Sequence, residues 1–158
     1  MTTTPFNVLF LCTGNSARSI LAEATLNHLA GPSGRLYAYS AGSFPKGKPN
    51  PLALALLNDE GISTTGARSK GWDEFSAPDA PPIHLVVTVC DQAAREECPY
   101  YPGKPLKAHW GVPDPHTPLE FQHAYETLRR RVERLAELPL QSLDRAEQQA
   151  QVNDIGEL

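Results

Sequence analysis

Val8-Leu-Phe-Leu-Cys12-Thr-Gly-Asn-Ser-Ala-Arg18-Ser19 decides how this chain folds. Val8 to Leu11 is an apolar run that reads as a buried strand, and a helical pattern runs from Ser19 to Leu29. The five residues between Cys12 and Arg18 join the two. A strand, a tight loop and a helix N-terminus in that order build an anion cradle. Successive backbone N–H groups converge on its centre, and the helix dipole adds partial positive charge there. Gly14 and Asn15 suit the positive φ that such a loop requires. Arg18 can fork two donors onto a tetrahedral oxyanion. The same field favours the thiolate of Cys12, which is the nucleophilic form. Ser19 can donate a hydrogen bond to that sulfur, and Glu23 lies one turn further on. Thr13, Gly14, Asn15, Ser16, Ala17, Arg18 and Ser19 are therefore the candidate oxyanion-binding residues. The apolar run ends at Cys12, on the edge where open α/β sheets place their ligands.

Outward from this loop, strands and helices alternate. Strands are expected at 7–11, 36–40, 85–89 and 107–110, the third a valine-rich run that reads as a buried parallel strand. Helices are expected at 17–30, stopped by Gly31-Pro32, and at 51–60, capped by Asn50 with Pro51 in its first turn and closed by Gly61. Trp72 to Phe75 suggests a helical turn. A long amphipathic helix is expected at 119–138 with Leu128, Val132 and Leu135 inward, followed by a polar, helical extension. The alternation implies an α/β fold, a parallel sheet with helices on both faces. Residues 1–140 form the expected catalytic domain and 141–158 the extension.

With 158 residues, 41% of them hydrophobic, the chain suits one domain with one core. A net charge of −4 argues against a nucleic-acid partner and leaves any oxyanion site dependent on its local field. No apolar stretch approaches a membrane span. Met1-Thr-Thr-Thr-Pro5 lacks the basic start of an export signal, and three cysteines are an odd number, so a cytoplasmic protein with reduced or redox-active thiols is expected. Nine of the fifteen prolines cluster in three stretches, 76–82, 99–105 and 113–118, that read as stiff loops.

Two of those cysteines lie far from the loop in sequence. Cys90 ends the third strand, as Cys12 ends the first. If the strands are neighbours, about 4.8 Å apart, both thiols reach one edge of the sheet. Cys98 follows across Asp91 to Glu97, a stretch that reads as two helical turns, marginal in isolation.

Cys12-Thr-Gly-Asn-Ser-Ala-Arg18-Ser19 resembles the phosphate loop of the low-molecular-weight protein tyrosine phosphatases and of the arsenate reductases that share their fold. Ser40-Ala41-Gly42, Asn50-Pro51, Gly61-Ile62, Ser69-Lys70, Val86-Val-Thr-Val-Cys90-Asp91, Cys98-Pro99, His109-Trp110-Gly111 and Asp114-Pro115 fall in that family's order. The resemblance implies a three-layer sandwich on a four-stranded parallel sheet of order 2-1-3-4. It implies that Asp114 is the general acid, although Asp-Pro by itself is more often a turn. It also implies a relay in which Cys12 attacks arsenate, Cys90 attacks Cys12, and Cys98 receives the disulfide for an external thiol reductant, thioredoxin or glutathione with glutaredoxin.

The chain departs from the family pattern in several places. The thioredoxin-coupled reductases have one residue fewer between the second and third cysteines, and the spacing here is more similar to another bacterial group of arsenate reductases. Ala17 stands where many members have a second cysteine in the loop, which leaves Cys90 as the resolving thiol. Lys70 stands where some relatives have a carboxylate that helps bind potassium. Its ammonium would replace that charge, so no metal is expected, though a solvated surface lysine is an equal alternative. His116 and Thr117 follow Asp114-Pro115 where the tyrosine phosphatases have tyrosines. Tyr100 and Tyr101 are candidate substitutes for that aromatic wall, and His109 and His116 are weak site candidates. The leading expectation is an arsenate reductase. The alternative is a phosphatase acting on phosphotyrosine or another phosphomonoester. An oxyanion binder or redox sensor without turnover is a third class, which Asp114 argues against because binding alone requires no proton donor.

Overall fold

The computed structural model describes residues 5–91, 101 and 103–158. Its strands are β1 (Phe6–Cys12), β2 (Leu36–Gly42), β3 (Leu85–Thr88) and β4 (Leu106–His109), and its α-helices are α1 (Arg18–Ala30), α2 (Pro51–Asp59), α3 (Pro118–Glu137) and α4 (Arg145–Ile155). All strand pairs are parallel, in the order β2-β1-β3-β4. The fold class and the strand order agree with the reading of the sequence. The two helical turns expected after Cys90, and Cys98 and Tyr100 with them, lie outside the described residues.

Alternation along β1 assigns the two faces of the sheet, because successive strand side chains point to opposite sides. Phe6, Val8, Phe10 and Cys12 join one core with Leu26, Trp110, Leu128, Val132 and Leu135. Leu9 and Leu11 join a second core with Phe75, Ile83, Val86 and Tyr101. The apolar run Val8–Leu11 is thus buried on both sides, as a central parallel strand must be.

Helix ends follow local chemistry. Asn50 accepts from Leu52 N at the start of α2, with Pro51 at the first helical position. Thr117 and Glu120 form a capping box that fixes the start of α3 directly after the Asp114-Pro115 turn. Residues 141–158 contain α4, whose Val152 and Ile155 belong to the larger core. The Trp110 indole donates to Val152 O at 2.9 Å, so α4 seals the end of the sheet beside β4. Among the described residues, no helix is long and apolar enough to cross a membrane.

Candidate active site

The loop between β1 and α1 is fastened from outside at three points. Phe44 N donates to Thr13 O at 2.9 Å, Lys46 N to Gly14 O at 3.0 Å, and Asn50 N to Ser16 O at 2.8 Å. Its carbonyls are thereby drawn outward. Ala17, the N-cap of α1, makes no side-chain cap bond, so the first-turn N–H groups of α1 remain for an anion. Asn15 holds the tight turn at φ 43°. Gly42 passes beneath it, where a Cβ would come 2.4 Å from Thr13 O and 2.8 Å from Cys12 O. Only hydrogen fits there.

Behind the loop the amide of Asn15 orders a chain of hydrogen bonds. Lys70 N donates to Asn15 Oδ1 at 2.8 Å, which fixes the orientation of the amide. Asn15 Nδ2 then gives its two hydrogens to Ser19 Oγ at 2.8 Å and Ser40 Oγ at 3.0 Å. Each serine accepts there and must donate elsewhere. Ser40 Oγ donates to Glu23 Oε1 at 2.9 Å. Ser19 Oγ lies 3.1 Å from Cys12 Sγ, close enough to give its hydrogen to the sulfur. The buried sulfur of Cys12 thus has a hydroxyl within hydrogen-bond reach. Asn15, Ser19 and Ser40 are all fully buried, so water does not compete for these bonds.

Lys70 closes the network and is not a surface lysine. It is buried; its Nζ donates to Arg68 O at 3.0 Å and stands 4.0 Å from Glu23 Oε2. Burial lowers its ammonium pKa and raises that of the Glu23 carboxyl, each against the smaller opposing pull of the other. Among the described residues, no group of three or more His, Cys, Asp or Glu could hold a metal ion.

In front of the loop lies a cleft of about 720 Å³, lined among others by Cys12, Arg18, Cys90 and Asp114. Arg18 Nη1 donates to Val112 O at 2.8 Å, and its Nη2 lies 3.5 Å from Asp114 Oδ1. This arginine therefore ties the cradle to the segment that carries Asp114. Asp114 is exposed, with His116 Nε2 3.6 Å from its Oδ2. Cys90 is buried beside β1, and its Sγ lies 3.6 Å from Thr13 Oγ1. Parallel pairing sets this neighbourhood: Leu11 pairs with Thr88, and Val89 N donates to Leu11 O, so both chains leave the sheet at the same edge.

Some candidates fall elsewhere. Tyr101 is not a wall of the cleft; it is buried in the second core with its Oη donating to Trp72 O at 3.1 Å. His109 bridges Thr88 Oγ1 at 2.8 Å and Asp91 Oδ1 at 2.9 Å, which is a structural position. Phe44 and Lys46 line the cleft and were not singled out from the sequence. Their place in a Gly/Pro-rich stretch just after β2 was the available signal. The carbonyl of Val112 carries no sequence signal at all.

Residues 7–149 match the family described as low molecular weight phosphotyrosine protein phosphatase. An arsenate reductase from Bacillus cereus (strain 03BB102) is 36% identical over 133 residues, 83% of this chain and 94% of its own length. Among solved structures, a low-molecular-weight protein tyrosine phosphatase from T. tengcongensis superposes with a TM-score of 0.70 at 27% identity, covering 84% of this chain and 98% of that one. A thioredoxin-dependent arsenate reductase from Corynebacterium glutamicum superposes with a TM-score of 0.65 at 27% identity over 85% of this chain, which spans 62% of that protein's length. The chain belongs to the low molecular weight phosphotyrosine protein phosphatase family.

Proposed function

We propose that this protein is an arsenate reductase working by a cysteine relay. The observation that carries the reading is that Cys90 lines the same cleft as Cys12, Arg18 and Asp114. Arsenate sits in the Thr13–Ser19 cradle with the fork of Arg18 across its oxygens. The Cys12 thiolate attacks arsenic, and Asp114 protonates the oxygen that leaves as water. The Cys90 thiolate then attacks the Cys12 sulfur. The sulfur–arsenic bond breaks, its electron pair stays on arsenic, and arsenite departs as the Cys12–Cys90 disulfide forms. Cys98 attacks Cys90, restores the Cys12 thiolate and leaves a Cys90–Cys98 disulfide for an external dithiol. The relatives named arsenate reductase, one of them thioredoxin-dependent, support this reading. Residues 1–140 carry the chemistry and 141–158 form an extension packed on it.

Phosphomonoester hydrolysis is the second reading, favoured by the likeness to a tyrosine phosphatase at a TM-score of 0.70. It uses Cys12, Arg18 and Asp114 and leaves the other two cysteines idle, which is why Cys90 decides between them.

Arsenite production from arsenate, with thioredoxin and its reductase in one tube and glutathione with glutaredoxin in another, tests the proposal and identifies the donor. Cys90→Ser should abolish arsenate turnover and spare hydrolysis of 4-nitrophenyl phosphate. With thioredoxin as donor, Cys98→Ser should stop after about one turnover with a Cys12–Cys90 disulfide trapped; with glutathione as donor it should keep turning over. Multiple turnovers of arsenate by the Cys90→Ser protein would refute the relay.

A further inference from the structure

Asp114 is an exposed side chain whose ion pairs among the described residues are with Arg18 Nη2 at 3.5 Å and His116 Nε2 at 3.6 Å. Side-chain packing therefore does not set where its carboxyl stands. The main chain leading to it does. Trp110 N donates to Thr88 O at 2.8 Å and Val112 N to Val89 O at 3.0 Å, so residues 110–112 run along the end of β3 towards Cys90. Pro113 fixes its own φ and holds Val112 extended, and Pro115 restricts Asp114 in the same way. A stiff arm of this kind passes any displacement of residues 110–112 directly to the acid.

Three successive carbonyls on that arm are held by two arginines. Arg18 takes Val112 O from the cradle side. Arg131 of α3 takes the other two from behind: its Nη1 donates to Trp110 O at 3.0 Å and contacts Gly111 O at 3.4 Å. Its Nη2 donates to the main-chain oxygen of Leu158 at 3.2 Å. Arg131 is only 7% exposed, and its Nε is buried with no partner among the described residues. Burying a guanidinium in this way costs free energy that an apolar residue at the same place would not. The end of α4 braces the same arm, since a Cβ on Gly156 would meet His109 O and Trp110 Cδ1 at 2.9 Å.

We infer that Arg131 is a positioning residue for the proton donor: from α3 it fixes the Trp110–Gly111 main chain and so sets where Asp114 stands in the cleft it shares with Cys12. This rests on the proposed role of Asp114 as general acid. Arg131 does not reach the cleft and does not bind the oxyanion.

The test is a double-mutant cycle. Arg131→Gln is made alone and together with Asp114→Asn, and single-turnover arsenite release is measured by rapid quench, with inorganic phosphate as competing ligand. Arg131→Gln alone should slow the single turnover by about 10²-fold, the cost of a displacement near 1 Å, while phosphate competes as it does against the unaltered protein. In the Asp114→Asn background the same substitution should cost less than about twofold, the error expected for additivity. Equal losses in both backgrounds, or weaker phosphate binding in step with the rate, would show general damage and overturn the inference, as would an unchanged rate. If Arg131→Gln does not melt cooperatively, Arg131→Lys, which keeps the charge but not the planar fork, carries the cycle with the same criteria. Unaltered protein that releases no arsenite refutes the reductase reading instead. The cycle is then read on 4-nitrophenyl phosphate hydrolysis, where the same non-additivity is expected and its absence overturns the role of Arg131.

Discussion

Replacing Ser19 by alanine tests the order of donors behind the cradle. The hydroxyl accepts from Asn15 Nδ2 at 2.8 Å, which leaves its hydrogen for Cys12 Sγ, 3.1 Å away. A hydrogen bond to a charged acceptor is worth about 1.5–3 kcal/mol. At about 1.4 kcal/mol per tenfold, its loss slows attack by Cys12 about 10- to 150-fold. The assay is the rate of alkylation by iodoacetamide, read by peptide mass mapping at Cys12. The substitution also leaves one Asn15 N–H without an acceptor, a cost of about 1–3 kcal/mol. That lowers the melting temperature by about 2–4 °C per kcal/mol in a chain of this size, so a melting curve checks that the protein is folded. Asn15→Asp reaches the same end with Ser19 in place. A carboxylate keeps the bond from Lys70 N and accepts from both serines, so the Ser19 hydrogen turns away from Cys12. Both variants should slow alkylation. A Ser19→Ala protein that alkylates at the unaltered rate, or an Asn15→Asp protein that alkylates faster, would refute the assigned directions.

Three further outcomes are expected. Asp114→Asn should slow formation of the Cys12 adduct by about 10²–10⁴-fold, the usual worth of a general acid, while inorganic phosphate competes unchanged; an unaffected single turnover makes Asp114 a turn residue. Gly42→Ala should cost about 10²-fold in activity through displacement of the loop, because the new methyl would stand 2.4 Å from the backbone oxygen of Thr13, which cannot yield; normal kinetics would contradict the close approach. His84 accepts from Asn7 N at 2.8 Å through Nδ1, and burial holds its pKa below the ordinary 6.5. The unfolded chain then binds that proton more readily, so stability is full above about pH 6.5 and falls as pH drops through and below that value. Melting temperatures of the unaltered protein should show this decline, and His84→Gln should flatten it.

Local chemistry written along the chain determined the fold and the front of the site. Val8–Leu11 is apolar on both faces, as a central parallel strand is, and Asn50-Pro51 marks a helix start wherever it is packed. Gly14, Asn15 and the Cys12–Arg18 spacing defined the cradle, because its geometry is set by consecutive backbone N–H groups. Leu128, Val132 and Leu135 faced inward as their spacing required. Contacts between distant segments carried no such mark. Lys70 could equally have been solvated; its burial against Glu23 depends on the path of a loop 47 positions further along the chain (70 − 23). Tyr101 looked like a cleft wall and proved to be core. The acceptors of Arg18 and Arg131 are main-chain carbonyls, identical in every residue type, so no sequence pattern can announce them. Periodicity and turn chemistry act within a few residues and are legible one residue at a time, whereas the partner of a buried charge is chosen only when the sheet and helices bring remote backbone within 3 Å or so.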